Sequence, residues 1–424
     1  MTAVHERLSS SVARPLDWVN FLLADVKGGL GPYLGIYLLT QQHWNQAAIG
    51  FVATTAGIVG LAMHTPIGAF IDVTRSKRGA IIAGLAILSL SALTIAPAPI
   101  FPVVLAAQVM MAIAGAVFGP AIAAITLGVL GTRGLAHRMG RNAAFDHAGN
   151  VFIAVLAGAV GWYFSQRAVF WLVPFFSVLA AAAVLSVPAA AIDHARARGL
   201  ARSEVDLGER PSGWRVLITC RPLLAFAAYV ALFHFANAPM LPLVGQKLAL
   251  ANKGAETPLM SACIIAAQLI MLPMALLVGS KAESWGRKPI LVAAFVVLPV
   301  RGIFYTLSDN AVWLVAVQLL DGVGVGIMGV LTPLILADLM RGTGRYDVSQ
   351  GAVATAHGIG ASLSNTVAGV IVVAAGYNIA FLSLAGIAVI ALILCVAALP
   401  ETGEAAAKDH QRWRRVPGVA IRGG

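Results

Sequence analysis

Twelve long apolar segments govern what this chain can fold into. They run over about 16–39, 47–71, 79–97, 101–130, 143–165, 168–192, 219–243, 257–280, 288–307, 311–338, 349–375 and 378–399. A helix needs about 20 apolar residues to cross the hydrocarbon core of a bilayer, and each segment reaches that length. The segments are continuously apolar rather than alternating, which excludes barrel strands. In lipid the backbone must satisfy its own polar groups, so the segments are predicted to be helices. Only 11% of the residues are charged and 59% are hydrophobic, against about 25% charged in a soluble domain. The predicted fold class is an all-α polytopic membrane protein with twelve transmembrane helices in two pseudo-symmetric six-helix bundles. The bundles cover 16–192 and 216–400, joined by a polar linker, 193–215, and flanked by tails 1–15 and 401–424.

The net charge of +11 suggests nucleic acid until its placement is examined. Of 29 Lys and Arg, 24 fall in the two tails and alternate loops, and three (Arg167, Lys247 and Lys253) fall in the other loops. Lys27 and Arg301 lie inside apolar spans. Basic loops stay in the cytoplasm, so both termini and the linker are expected there, in a plasma or inner membrane. The charge is topological, and nucleic acid is not an expected partner. The polar start lacks a cleavable signal pattern. Cys220, Cys263 and Cys395 lie in separate segments without metal-ligand spacing, so no disulfide framework is expected.

The stretch Asn20–Gly35 concentrates chemistry. It carries Asp25 and Lys27, then Gly28-Gly-Leu-Gly-Pro32. A charge at the bilayer centre costs roughly 2.5–3.5 kcal/mol on insertion scales, so it faces a partner or a wet cavity. A buried carboxyl also titrates nearer neutrality, as a coupling site must. Asp25 is therefore the candidate for proton coupling. Lys27 is either part of that site or half of a static ion pair, although i,i+2 residues face apart on a regular helix.

The two halves repeat each other. Phe21-x-x-Ala24-Asp25 in span 1 recurs as Phe233-x-x-Ala236-Asn237 in span 7, and each is followed by a Pro break, at Pro32 and at Pro239 with Pro242. His147 of span 5 pairs with His357 of span 11, and Gln108 of span 4 with Gln318 of span 10. Loop 2–3 holds Gly68, Asp72, Arg75, Lys77 and Arg78, and loop 8–9 holds Gly279, Glu283, Gly286, Arg287 and Lys288. One six-span offset explains all four pairs, a pattern common in transporters.

At this point the chain resembles the Major Facilitator Superfamily of secondary transporters across all twelve spans. Loop 8–9 matches the family's loop signature with Glu for Asp, while loop 2–3 fits with one extra residue and lacks the second glycine. The resemblance implies rocking of two bundles around a cavity lined by spans 1, 4, 7 and 10, with contributions from 5 and 11. It also implies a cytoplasmic gate built from the two signature loops, where the basic clusters latch the bundles together. Gln108, His234, Asn237, Gln318, Asp321 and His357 become cavity candidates. The arginine of many drug exporters is missing near Gln108, and span 5 has no Gly-Pro-x-x-Gly-Gly antiporter motif. Arg301, in a span usually peripheral, is expected to snorkel or pair locally. Asp338 is expected to gate or cap, and Trp44, Trp162, Trp171 and Trp313 to sit at the interfaces.

Three functional readings stay open. The first is a proton-coupled transporter of a small organic solute, exporting or importing. The second is a divalent-metal or metallophore exporter. Asp25, Asp146, His147, Asn150, His234, Asn237 and His357 would supply imidazole, carboxylate and amide ligands in two clusters, one per bundle. Ferroportin is similar in drawing on spans 1, 7 and 11. The third is a non-transporting sensor or assembly protein. No catalytic motif is present, so an enzyme is not expected, nor is a cofactor. The expected working unit is a monomer.

Overall fold

The computed structural model describes residues 2–24, 31–130, 135–194, 220–340, 346–399 and 402, which are mostly helical and contain no strand. The helices in chain order are α1 (Thr2–Leu23), α2 (Gly31–Thr40), α3 (Gln46–Val73), α4 (Lys77–Ile95), α5 (Phe101–Leu130), α6 (Leu135–Tyr163) and α7 (Leu172–Ser186). The second half continues with α8 (Arg221–Asn237), α9 (Met240–Ala251), α10 (Glu256–Lys281), α11 (Arg287–Leu307), α12 (Ala311–Val317), α13 (Leu319–Leu339) and α14 (Tyr346–Ala398).

Ten helical stretches among the described residues are long and apolar enough to cross a membrane. One of them belongs to α14, whose 53 residues would extend about 80 Å if straight, more than twice the hydrocarbon core. It breaks at Gly376, where φ is 84° and ψ is 171°. Only glycine adopts this backbone without strain. The break falls between the expected spans 349–375 and 378–399. The first expected span, 16–39, is shared by α1 and α2, with 25–30 between them outside the described residues.

Two boundaries differ from the sequence reading. Helix α1 starts at Thr2, inside the expected tail, and α9 carries span 7 past 243 to Ala251. The charge of Lys247 made that stretch look like a loop. Its ammonium is instead neutralised by Asp309 at 2.6 Å and held by the Tyr305 carbonyl and Asn378 Oδ1 at 3.1 and 3.0 Å.

Each half has its own apolar core. The first gathers Leu23, Tyr37, Phe118, Phe170 and Phe176, and the second Phe226, Tyr229, Phe233, Phe295 and Phe381. Leu90, Val178, Leu272 and Val312 are exposed, as lipid-facing residues of a membrane bundle must be.

The halves meet closely toward the face remote from the chain termini, called here the far face. There α3 lies on the first part of α14. Thr54 Oγ1 donates to the Ser362 carbonyl at 2.6 Å, and Thr366 Oγ1 donates to Thr54 Oγ1 at 2.8 Å. A Cβ on Gly50 would lie 2.8 Å from the Asn365 carbonyl carbon, so only glycine permits this approach. Helix α6 meets α10 in the same way, where a Cβ on Gly158 would lie 3.0 Å from Ser261 Cβ. Small residues let membrane helices approach backbone to backbone. Toward the termini face the pattern changes: His64, Thr65 and Pro66 of α3 and Gly351, Ala354 and Thr355 of α14 are exposed.

Gly376→Ala is expected to cost about 1–3 kcal/mol. It should lower the unfolding midpoint of the detergent-solubilised chain by several degrees. An unchanged midpoint would show that the break tolerates a side chain.

Candidate functional site

A buried guanidinium organises the interior of the second half. Arg301 and Tyr305 stand one turn apart on α11. Asp321 lies in the first turn of α13, Gln318 at the joint of α12 and α13, and Asn237 at the end of α8. Arg301 is 1% exposed. Its Nη1 donates to Asp321 Oδ1 and to Asn237 Oδ1, each at 2.6 Å. Its Nη2 donates to Gln318 Oε1 at 3.1 Å and its Nε to the Tyr305 hydroxyl at 3.0 Å. Tyr305 also donates to Gln318 Oε1, and Gln318 Nε2 donates to Asp321 Oδ2 at 2.9 Å. An unpaired buried charge is very costly; this one is paired with Asp321 and makes four hydrogen bonds from its five N–H donors.

This arrangement corrects several expectations. Arg301 neither snorkels nor pairs with one neighbour; it ties spans 7, 9 and 10 together. Gln318, fully buried, is not on a cavity wall, because both ends of its amide are used inside the half. Asp321 is 9% exposed and ion-paired. Asn237 keeps partial exposure, with its carbonyl oxygen given to Arg301. The sequence carried one signal for this cluster, an arginine in an apolar span, but its acid lies 20 residues away on another helix.

Three residues before Asn237, His234 stacks face to face on His357 of α14. The ring centroids are 3.5 Å apart and the planes differ by 7°. His357 is exposed and His234 half-buried. Parallel stacking directs the ring nitrogens outward along two planes rather than toward a common point, as a shared metal would require. His147 is elsewhere: its Nδ1 meets Gln268 Oε1 of α10 at 2.8 Å, across the two halves. Asp146 and Asn150 are joined by a long 3.4 Å contact on α6. Among the described residues no three His, Cys, Asp or Glu side chains come together as a metal site. Asp25 and Lys27 lie outside the described residues.

Gln108 lines a cavity of about 190 Å³ between the halves toward the far face. Gln46, Gln246 and Asn365 share its wall with Gly35, Gly50, Pro239 and Pro242. Neither Gln246 nor Asn365 stood out in the sequence. Gln246 adjoins Lys247, in a stretch that looked like a loop, and Asn365 sits in a span already represented by His357.

The bonds described for the signature loops run within each half. Lys77 Nζ donates to the Ile71 and Thr74 carbonyls at 2.7 and 3.1 Å, capping the end of α3. Arg78 reaches the Val187 carbonyl just after α7, and Lys288 the Val396 carbonyl near the end of α14. Arg287 pairs with Asp338 at the end of α13. These bonds join helix ends within one half, where a cation meets the negative pole of a helix. Asp72, Arg75 and Glu283 are exposed, and beside Gly68 and Gly279 there is open space. Gly286, with φ at 86°, begins α11 in a conformation that favours glycine. A further cluster went unrecognised in the sequence. Asp17 of α1 accepts both nitrogens of an Arg141 fork at 2.9 and 2.7 Å and pairs with Arg138 at 2.8 Å, joining spans 1 and 5.

Two cored helical halves, with polar groups facing the seam between them, define a membrane transporter. Overlapping matches to the sequence profile of the Major Facilitator Superfamily cover residues 18–346 and 259–421. The chain belongs to the Major Facilitator Superfamily. It is 48% identical over 404 residues to the uncharacterized MFS-type transporters MT2531 and Rv2456c, from two strains of Mycobacterium tuberculosis, covering 95% of this chain and 96% of each of those. Among solved structures, a mutant of the nucleoside transporter NupG matches with a TM-score of 0.76 at 15% identity, covering 92% of this chain and 100% of that one. A bacterial homolog of the human lysosomal transporter Spinster, in an inward-facing and unoccupied conformation, gives 0.69 at 14% identity, covering 92% and 95%. These two likenesses concern the fold.

Arg301→Met leaves Asp321 charged and unpaired and is expected to destabilise the chain by about 3–5 kcal/mol, whereas adding Asp321→Leu should recover much of the loss. Thermal unfolding of both variants in detergent tests this. A double variant as unstable as the single one would contradict the pairing.

Proposed function

We propose that the protein is a proton-coupled secondary transporter of a small, neutral organic solute, working by alternating access in the cytoplasmic membrane. The observation that carries this reading is the asymmetry between the two faces. The halves interdigitate at Gly50, Gly158, Thr54 and Ser362 toward the far face, while the corresponding helices are exposed toward the termini. With 24 of 29 basic residues on the termini side, that side is the cytoplasm. The arrangement is then inward-open, with the outer gate closed. The halves 16–192 and 216–400 rock as units, tethered by 193–215, and one chain suffices as the working unit.

In this reading Asp25 is the coupling group, at the break of the first span, with Lys27 setting its charge environment. Its repeat mate Asn237 is neutral and anchored to Arg301, so only the first half offers a titratable group at this position. Helix ends fastened within each half by Lys77, Arg78, Arg287 and Lys288 keep each bundle rigid while the seam opens. The stacked His234 and His357 favour an organic solute with a flat or apolar face over a metal ion.

Asp25→Asn is expected to abolish uptake driven by a pH gradient in proteoliposomes while leaving solute counterflow intact. Undiminished driven uptake would remove Asp25 from the coupling role. Calorimetric titration with Co²⁺ is expected to show no binding tighter than millimolar. Micromolar binding lost in both His234→Ala and His357→Ala would favour metal export instead.

A further inference from the structure

The cavity beside Gln108 has an unusual wall. Among the described residues, its polar lining consists of four carboxamides, Gln46, Gln108, Gln246 and Asn365, with no carboxylate and no cation. The bonds these side chains make use their nitrogens. Asn365 Nδ2 donates to the Ala361 carbonyl at 2.9 Å, which fixes the orientation of that amide. Gln46 Nε2 bonds the Tyr377 hydroxyl at 2.9 Å, and Gln108 Nε2 leans on Met111 Sδ at 3.4 Å. Gln246 is 3% exposed, and its Oε1 is buried with no hydrogen-bond partner. A buried acceptor left unpaired costs about 1–3 kcal/mol, so the Gln246 carboxamide gains from a donor that reaches it.

We propose that this cavity is a recognition subsite for the donor groups of a neutral, polyhydroxylated solute. The proposal rests on the transporter reading above and names the substrate class. Carboxamide oxygens accept hydroxyl hydrogens. With no countercharge among the described residues of the wall, a desolvated cation pays a far larger penalty there than a neutral donor. At about 190 Å³ the cavity is below the roughly 300–1,000 Å³ of drug-sized sites. It therefore fits a small polyol or one sugar ring rather than a large amphiphile. Its walls come from both halves: Gly35, Gln46 and Gln108 from the first, Gln246 and Asn365 from the second. Rocking of the halves dismantles it, so a solute held here stabilises the closed outer gate.

The test uses the purified full-length chain with ribitol and D-ribose as neutral probes, and choline and succinate as charged ones. Binding is followed by calorimetry and transport by proteoliposome counterflow. Ribitol or D-ribose should bind, with at least tenfold weaker affinity in Gln246→Leu and closer to the native value in Gln246→Glu, which keeps an acceptor. Gln108→Leu serves if Gln246→Leu does not fold. Binding of neither neutral probe, affinity unchanged in the leucine variants, or preference for choline or succinate would each overturn the proposal. If the wild-type chain moves a probe and the leucine variant moves it equally well, the subsite fails and the transporter reading stands. If no solute moves at all, the transporter reading fails first.

Discussion

A guanidinium in the interior of a membrane bundle needs a paired charge and acceptors for its donors. Arg301 is answered by Asp321, Asn237, Gln318 and Tyr305, and much of the second half follows from that requirement. The network reaches the end of α8, where the chain turns at Pro239, and both sides of the joint between α12 and α13. Three spans are thereby held in one relation, and the divided helix of span 7 has a fixed point beside its break. The first half uses a different bond for a similar purpose, with Asp17 gripping Arg138 and Arg141 between spans 1 and 5. Each half is thus stiffened internally by ion pairs, which are expensive to break once desolvated.

Contacts between the halves have the opposite character. Glycine against backbone, serine and threonine hydroxyls, and the His147–Gln268 bond carry the seam. Such contacts depend on close approach and exact registry of small groups. Neutral hydrogen bonds contribute about 0.5–1.5 kcal/mol each, less than charged ones. Strong bonds inside the halves and weak, separable ones between them are what rigid-body rocking requires.

Much of the fold was legible because lipid leaves the backbone few options: long apolar runs give helices, and the six-span repeat gives two halves. The break at Gly376 was legible as the gap between two spans. Reach across helices was not legible. Arg301 and Asp321 are 20 residues apart in sequence, and a one-dimensional reading assigned the first to the periphery and the second to the cavity. The charge on Lys247 shortened span 7 on paper, because its partner Asp309 lies in another loop. The loop signatures were recognised as motifs; which helix ends their basic side chains reach within each half was not. The repeat did pair Gln108 with Gln318. Their environments differ, since one faces a cavity and the other is consumed by an arginine that the first half does not have.

The central claim is that the two halves part on one face as they close on the other. Pulsed electron paramagnetic resonance on a cysteine-free background, with one spin-label pair at Asn45 and Ala374 and a second at Ala69 and Ala354, measures both faces of the α3–α14 seam. A change of pH should lengthen the first distance while shortening the second. Distances on both faces that stay fixed, or that change in the same direction, would contradict the account.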